Sequence, residues 1–293
     1  MNINWYPGHM KKTIEDLEKK KGLVDFVIEI IDGRIPLSSR NPLLEKVLEG
    51  KKKLIIFNKS DLADEKENDK WINFLTKDEV SVLKYNSQRP NPVSVTSYAE
   101  KLMADEIKKY ESRGVNHGPL RAMVVGIPNV GKSTFINGII GKKSAKTGNR
   151  PGITKTNQWI RLNEGLHLLD TPGVLWQKFP EDIGLNLALT GSIKDEIMDR
   201  ESLSLKLIEK LNAIDKNILI NRYKIENNGK PLEVLDEIGR KRGALLRGGL
   251  IDYEKTSGIL LDEFRKGLLG RISLETVWLL KILKKIIGKR DLN

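Results

Sequence analysis

RAMVVGIPNVGKSTFINGII, residues 121–140, decides the fold. An apolar, partly β-branched run ends on a glycine, the loop GIPNVGKS at 126–133 matches G-x-x-x-x-G-K-[ST], and the helical run TFINGII follows. Strand, loop and helix in that order are what a phosphate-binding loop requires. Its glycines let backbone N–H groups face phosphate oxygens, Lys132 reaches the β and γ oxygens, and the Ser133 hydroxyl ligates Mg²⁺. With average residue usage the pattern arises by chance in roughly one chain of this size in a hundred, so an ordinary glycine turn explains it poorly.

Outward from this loop, VDFVIEIID (24–32), KLIIF (53–57), VSVLKYNS (80–87) and LHLLD (166–170) are further short apolar runs ending at polar or glycine turns. Strands buried on both faces of a parallel sheet read this way. Segments with helical spacing lie between them, such as the stretch from Ser94 to Glu111. The alternation predicts an α/β domain with a doubly wound, mainly parallel sheet over residues 1–180. After Pro180 the texture changes: LALTGSIKDEI, SLSLKLIEKL, PLEVLDEIGRKRG, TSGILLDEFRKGLL and SLETVWLLKILKKII read as consecutive helices, with Leu260, Phe264 and Leu268 on one face. A small all-α domain over 181–293 is the expectation.

Composition narrows the chemistry. The chain has no cysteine and three scattered histidines, which excludes disulfides, iron–sulfur clusters and thiolate zinc sites and leaves a hard cation held by oxygen. No run of about 18 apolar residues is present and MNINWYPGHM lacks a signal-peptide pattern, so a cytoplasmic protein without a membrane partner is expected. A net charge of +12 favours a polyanionic partner. The six basic residues Lys142, Lys143, Lys146, Arg150, Lys155 and Arg161 fall in one acid-free stretch, GRKRGALLRGG (239–249) is another, and WLLKILKKIIGKR near the C-terminus is a third. Such tracts suit either an RNA footprint or a solvated face.

Two further motifs identify the nucleotide. DTPG (170–173) closes the strand after the P-loop; Asp170 would hold the Mg²⁺ shell and the Gly173 N–H would meet the γ-phosphate, where only glycine allows so close an approach. NKSD (58–61) ends the strand KLIIF. Asp61 can accept from N1 and N2 of guanine, which adenine cannot supply, while Asn58 contacts the purine edge and the Lys59 stem packs along the ring. Asn86 and Ser87 of YNSQ lie where a guanine-supporting loop belongs, and Thr154 of PGIT (151–154) is the candidate switch threonine, with Thr156 the competing choice. The expected GTP contacts are therefore Asn58, Lys59, Asp61, Asn86, Ser87, Asn129, Val130, Gly131, Lys132, Ser133, Thr134, Thr154, Asp170 and Gly173, with Ser133, Thr154 and Asp170 around Mg²⁺ and Lys132 and Thr154 acting on the transferring phosphoryl group.

The order of these motifs is unusual. Ordinary GTPases run P-loop, switch threonine, DxxG, NKxD, whereas here NKSD precedes the P-loop. Because domain termini often lie close together, one sheet can be cut and rejoined elsewhere, which predicts a circularly permuted P-loop GTPase domain. DTPG then leads directly into the helical domain. Val174 follows Gly173, where many nucleotide switches carry the glutamine that orients the attacking water.

WYPGHM (5–10), DGRIPLSSRNP (32–42), NKSD, GIPNVGKSTFIN, PGIT, DTPG and LLRGGLIDYEKTSGILLDEFRKGLLGRISLE (245–275) together resemble the circularly permuted ribosome-assembly GTPases of the ribosome biogenesis GTPase A (YlqF/RbgA) type, nearly end to end. The resemblance implies GTP hydrolysis coupled to a late step of large-subunit (50S) maturation, with the helical domain binding ribosomal RNA. It also implies that His9, of the PGHM signature, places the water that Val174 cannot; a neutral imidazole with pKa near 6.5 can accept a hydrogen bond from water. Asn129 stands where similar potassium-dependent GTPases place an asparagine ligand for K⁺. Two other readings remain: a permuted GTPase acting on another RNA particle, and a GTP-gated RNA-binding scaffold that needs no fast turnover.

Overall fold

The computed structural model describes residues 9–141, 158–176, 179–193, 199–226 and 229–278, with His9 and Gln158 described by their backbone alone. Thr154 and Thr156, most of the first basic stretch and the C-terminal basic tract lie outside the described residues.

Six strands form one sheet: β1 (Phe26–Asp32), β2 (Lys53–Asn58), β3 (Val80–Lys84), β4 (Leu120–Val125), β5 (Gln158–Arg161) and β6 (Leu166–Asp170), in the order β3-β2-β1-β4-β6-β5. All neighbours pair in parallel except β5, which runs antiparallel to β6. From the central pair β1 and β4 the chain winds outward in opposite directions, so the loops leaving their carboxyl ends diverge and open a crevice. Parallel pairing sends NKSD from β2, the P-loop from β4 and DTPG from β6 to that same edge.

The apolar runs form strands because each can bury both faces. Every residue of β1 is buried. In β2, Leu54 and Ile56 face one core while Ile55 and Phe57 face a second, which also holds Ile31, Trp71, Leu75, Val82 and Val277. This is the period of two expected of a strand.

The helices are α1 (His9–Lys20), α2 (Pro42–Val47), α3 (Glu65–Leu75), α4 (Pro92–Leu102), α5 (Ala104–Glu111), α6 (Lys132–Ile140), α7 (Glu181–Leu189), α8 (Arg200–Ile214), α9 (Asn217–Tyr223), α10 (Pro231–Arg242) and α11 (Tyr253–Arg265). Local chemistry sets several starts: the carboxylates of Asp64, Asp199 and Asp252 and the amide oxygen of Asn91 accept from orphan N–H groups in the first turns of α3, α8, α11 and α4. Helices α8, α10 and α11 pack on one another, with α9 against α8. Their buried Leu203, Leu207, Leu235, Leu260 and Phe264 join the same core cluster as the sheet.

Five local expectations need correction. LALTGSIKDEI does not form a helix from Leu187 onward, because α7 spans Glu181–Leu189 and Gly191 takes φ +76° just beyond it. The helix from Ser94 to Glu111 is two helices, because the buried Met103 takes φ −99° and ψ 8° between them. The short β5 was not anticipated; its four residues include the half-exposed Trp159 and give too brief a pattern to read. Leu268 does not share a face with Leu260 and Phe264: α11 stops at Arg265, Gly267 adopts φ +74°, and Leu268 is exposed. SLETVW does not begin a helix at Ser273, since residues 272–276 run without regular structure and lie back across the edge of the sheet. Among the described residues no helix is long and apolar enough to cross a membrane.

Candidate functional site

The P-loop is built at the end of β4, where Val125 is fixed in the sheet and α6 begins at Lys132. The N-terminus of α6 therefore points its unpaired N–H groups into the crevice, a ready site for phosphate. Two glycines are required by close approach. Gly131 has φ +100°, and a Cβ there would stand 2.3 Å from the Asn58 amide nitrogen; a Cβ on Gly173 would stand 3.0 Å from the Pro128 backbone nitrogen. The DTPG turn thus lies flush against the P-loop. Asn129 also takes a left-handed φ of +60°.

Lys132 is buried beside DTPG. Its ammonium donates to the Thr171 carbonyl and lies 3.8 Å from Asp170 Oδ1. Burial pulls its pKa down, and the Asp170 carboxylate partly restores it. Asp170 is itself buried at the end of β6, and Ser133 is half-buried one residue after Lys132. A carboxylate, a hydroxyl and phosphate oxygens are the hard donor set that Mg²⁺ takes. Among the described residues no cluster of three acidic, histidine or cysteine side chains could hold a metal alone, so the residues fit an ion completed by the nucleotide.

NKSD is tied to the P-loop through its own side chains. Asn58 Nδ2 donates to the Val130 carbonyl at 2.7 Å, while its Oδ1 accepts from the Ser87 backbone at 3.1 Å and the Ser87 hydroxyl at 2.8 Å. Asn58 thus joins three loops, leaving one amide hydrogen for a purine edge. Lys59 Nζ donates to the Asn129 carbonyl and to Asp32 Oδ2, each at 2.8 Å. Asp61 is exposed at the open end of the crevice, where a base would enter. Asn86 Oδ1 accepts from the Gln88 N–H two residues on, a local Asx turn that shapes this loop. Val130 is buried in the core and Thr134 lies in the first turn of α6.

The sequence reading missed the support beneath these loops. Asp32, the last residue of β1, is fully buried and gripped by Arg34, whose Nε and Nη2 donate at 3.0 and 2.8 Å, as well as by Lys59. Burial disfavours the carboxylate, but Arg34 and then Lys59 outweigh it and hold Asp32 well below the usual carboxylate range. A strand-end aspartate followed two residues later by arginine is visible in DGRIP, yet the pattern is too common to signal this by itself. Val174, where a water-orienting glutamine would stand, is buried in the core; its N–H donates to the Gly126 carbonyl and its carbonyl accepts from Asn41 Nδ2 at 2.8 Å. It has no polar atom to offer water and is held facing inward. His9 opens α1, and its side chain lies outside the described residues.

Residues 121–237 match a family model described as 50S ribosome-binding GTPase. The match starts at the P-loop strand and excludes NKSD, as a permuted order requires. The chain is 40% identical over 279 residues to Ribosome biogenesis GTPase A of Bacillus cereus, covering 94% of each chain. It is similar to the solved GDP-bound structure of TM YlqF, with a TM-score of 0.64, 30% identity, and coverage of 90% of this chain and 99% of that one. For GNP-bound YlqF from T. maritima the TM-score is 0.61 at 29% identity, covering 92% and 98%.

Proposed function

The chain belongs to the ribosome biogenesis GTPase A family and is a circularly permuted GTP-hydrolysing enzyme, and on that footing we propose that it binds the precursor of the large ribosomal subunit and couples hydrolysis to a late step of 50S assembly. Residues 1–180 form the nucleotide-binding domain and residues 181–293 the ribosome-binding one in this reading. A cytoplasmic setting goes with it.

The observation that carries the coupling is the contact between the P-loop and the far end of α7. Asn129 Nδ2 donates to the Gly191 carbonyl at 2.6 Å, and Arg265 of α11 donates to the carbonyls of Ala188 and Leu189 at 2.8 and 3.0 Å. A phosphate-sensing loop is therefore two hydrogen-bonding steps from the helices. On those helices Arg240, Lys241 and Arg242 end α10, and the following turn exposes Leu246, Arg247 and Leu250. A positive, irregular tip of this kind suits a phosphate backbone. The large-subunit partner itself is supported by the description of the matching family model, 50S ribosome-binding GTPase.

Lys132, the P-loop N–H groups and the Gly173 N–H hold the β- and γ-phosphates. Ser133, Asp170 and Thr154 are the residues that would hold Mg²⁺, which when bound neutralises charge developing on the phosphate oxygens. With Val174 turned into the core, His9 is assigned the positioning of water, and its place at the start of α1 lets a partner complete the site on docking. Asn129 Oδ1, left over when Nδ2 bonds Gly191, is the assigned ligand for K⁺.

GTP turnover of the wild type and of His9→Ala, in KCl and in NaCl, with and without purified large subunits, tests this reading. The expected result is strong stimulation of the wild type by subunits in KCl, since completing such a site is worth up to about 10⁵-fold, with loss of that stimulation but intact GTP binding in His9→Ala. Stimulation surviving His9→Ala removes His9 from the mechanism and favours a GTP-gated scaffold; no stimulation of the wild type points to another RNA particle. Equal rates in the two salts remove K⁺.

A further inference from the structure

After α11 the chain turns back to the nucleotide edge of the sheet, and residues 267–277 run beneath the NKSD loop. Arg271 Nε donates to the Ala63 carbonyl and Nη2 to the Ser60 carbonyl, both at 2.9 Å; its guanidinium also pairs with Glu65. The Ile272 N–H donates to the Leu62 carbonyl at 2.9 Å, and the Asp64 N–H donates to Ser273 Oγ at 3.1 Å. Gly267 packs so closely on Leu62 that a Cβ would come within 2.6 Å of Cδ2. Backbone groups of Ser60, Leu62, Ala63 and Asp64 are therefore held by a segment more than 200 residues distant, and Asp61 stands in the middle of the stretch they define.

The far end of the segment is anchored just as firmly. The Leu274 N–H donates to the Arg34 carbonyl at 2.9 Å. The buried Glu275 carboxylate accepts from the backbone of Leu37 and Ser38, from the Ser38 hydroxyl and from Asn186. Trp71 Nε1 donates to the Glu275 carbonyl at 3.1 Å, and Val277 completes the core beneath β2.

We infer that residues 267–277 are a brace that sets guanine recognition from outside the nucleotide motifs, with Arg271 the positioning residue that aims Asp61 by fixing the carbonyls on either side of it. The inference rests on the assignment of Asp61 to the guanine N1 and N2 groups. Residues 59–64 have no regular ladder of their own, and a carboxylate that must meet two donors at once has to be held within about 0.5 Å and 10–20°. The ion pair with Glu65 is half-exposed and contributes little; the hydrogen bonds from a charged guanidinium to two carbonyls are the stronger elements. Because coupling is reciprocal, a bound guanine nucleotide also holds the brace, and through it the end of α11.

The test compares guanosine and inosine diphosphates, since inosine lacks the N2 amino group and can use only one of the two bonds to Asp61. Affinities are measured for the wild type, Arg271→Met, Arg271→Lys and Ser273→Ala, each first checked for folding. Arg271→Met misaims Asp61 without removing it and is expected to weaken guanosine diphosphate about three- to tenfold, the range of one ordinary hydrogen bond, with a smaller loss for inosine diphosphate, so that the ratio between them shrinks. Arg271→Lys, which can keep one carbonyl, is expected to fall between, and Ser273→Ala to shift the ratio the same way. Guanosine diphosphate should also slow hydrogen exchange at the Ile272 and Leu274 amides. Equal losses for both nucleotides, or none, would overturn the inference. Asp61→Asn serves as the independent check on the underlying assignment: a switch toward xanthosine diphosphate upholds it, and its absence rejects it whatever Arg271 does.

Discussion

Asp32 is a single buried anion between two cations, and it concentrates the electrostatics of the site into one residue. Removing its charge would leave Arg34 and Lys59 buried without a counterion, a change that costs about 3–5 kcal/mol in such settings. Asp32→Asn is therefore expected to lower the unfolding free energy obtained by urea titration by that amount and to weaken GTP, because Lys59 loses the partner that aims it at the Asn129 carbonyl. The pH dependence has a definite sign. Asp32 has a lower pKa folded than unfolded, so its stabilisation is complete above its unfolded value, near 4, and is lost as the pH falls toward the folded value. Wild-type stability should decline below about pH 5, with a shallower slope in Asp32→Asn, as urea titrations at stepped pH would reveal. At the same scale, Gly173→Ala places a methyl group against the Pro128 backbone and should abolish γ-phosphate sensing while leaving the sheet folded, read as equal affinity for GTP and GDP.

Elements act here by linking loops rather than by their own propensity. Helix α2 is only six residues long, yet its N-cap Asn41 uses Oδ1 to accept from the Leu43 N–H and Nδ2 to hold the Val174 carbonyl. Asn41→Asp keeps the cap and loses the tether, whereas Asn41→Ala loses both. The cap is worth about 1 kcal/mol and the buried tether about 1–3 kcal/mol. Both variants should thus be destabilised, Asn41→Asp mainly by the tether loss, and both should disturb hydrolysis through DTPGV. Thermal unfolding and turnover on the same samples would separate the two effects. The brace offers a comparable test. Glu275→Gln keeps a single acceptor oxygen, which at the Oε2 position meets both the Leu37 and Ser38 N–H groups, while Glu275→Ala leaves them unpaired and should cost about 2–4 kcal/mol. Burial raises the Glu275 pKa, so its ionisation weakens the fold as the pH rises from the unfolded-state value through the folded one, and Glu275→Gln removes that penalty.

At the scale of the molecule, the sheet and the C-terminal helices share one core cluster, and residues 271–277 close back onto the sheet. Unfolding followed at Trp71, under the sheet, and at Tyr223, among the helices, is therefore expected to give coincident transitions; separate ones would show two independent units. The sequence alone determined five of the six described strands, the P-loop, NKSD and DTPG, and from their order the permutation, because each depends on local patterns of apolar period and glycine placement within a few residues. It could not show that Ser94–Glu111 breaks at Met103, that β5 forms, or that Asn86 caps its own turn, since in each the competing local conformations differ by little and packing chooses between them. The Asp32–Arg34–Lys59 cluster, the inward-facing Val174 and the brace from Gly267 to Val277 were decided only by tertiary structure. Their partners lie tens to hundreds of residues apart, and a contact of that separation leaves no periodicity in the chain to be read.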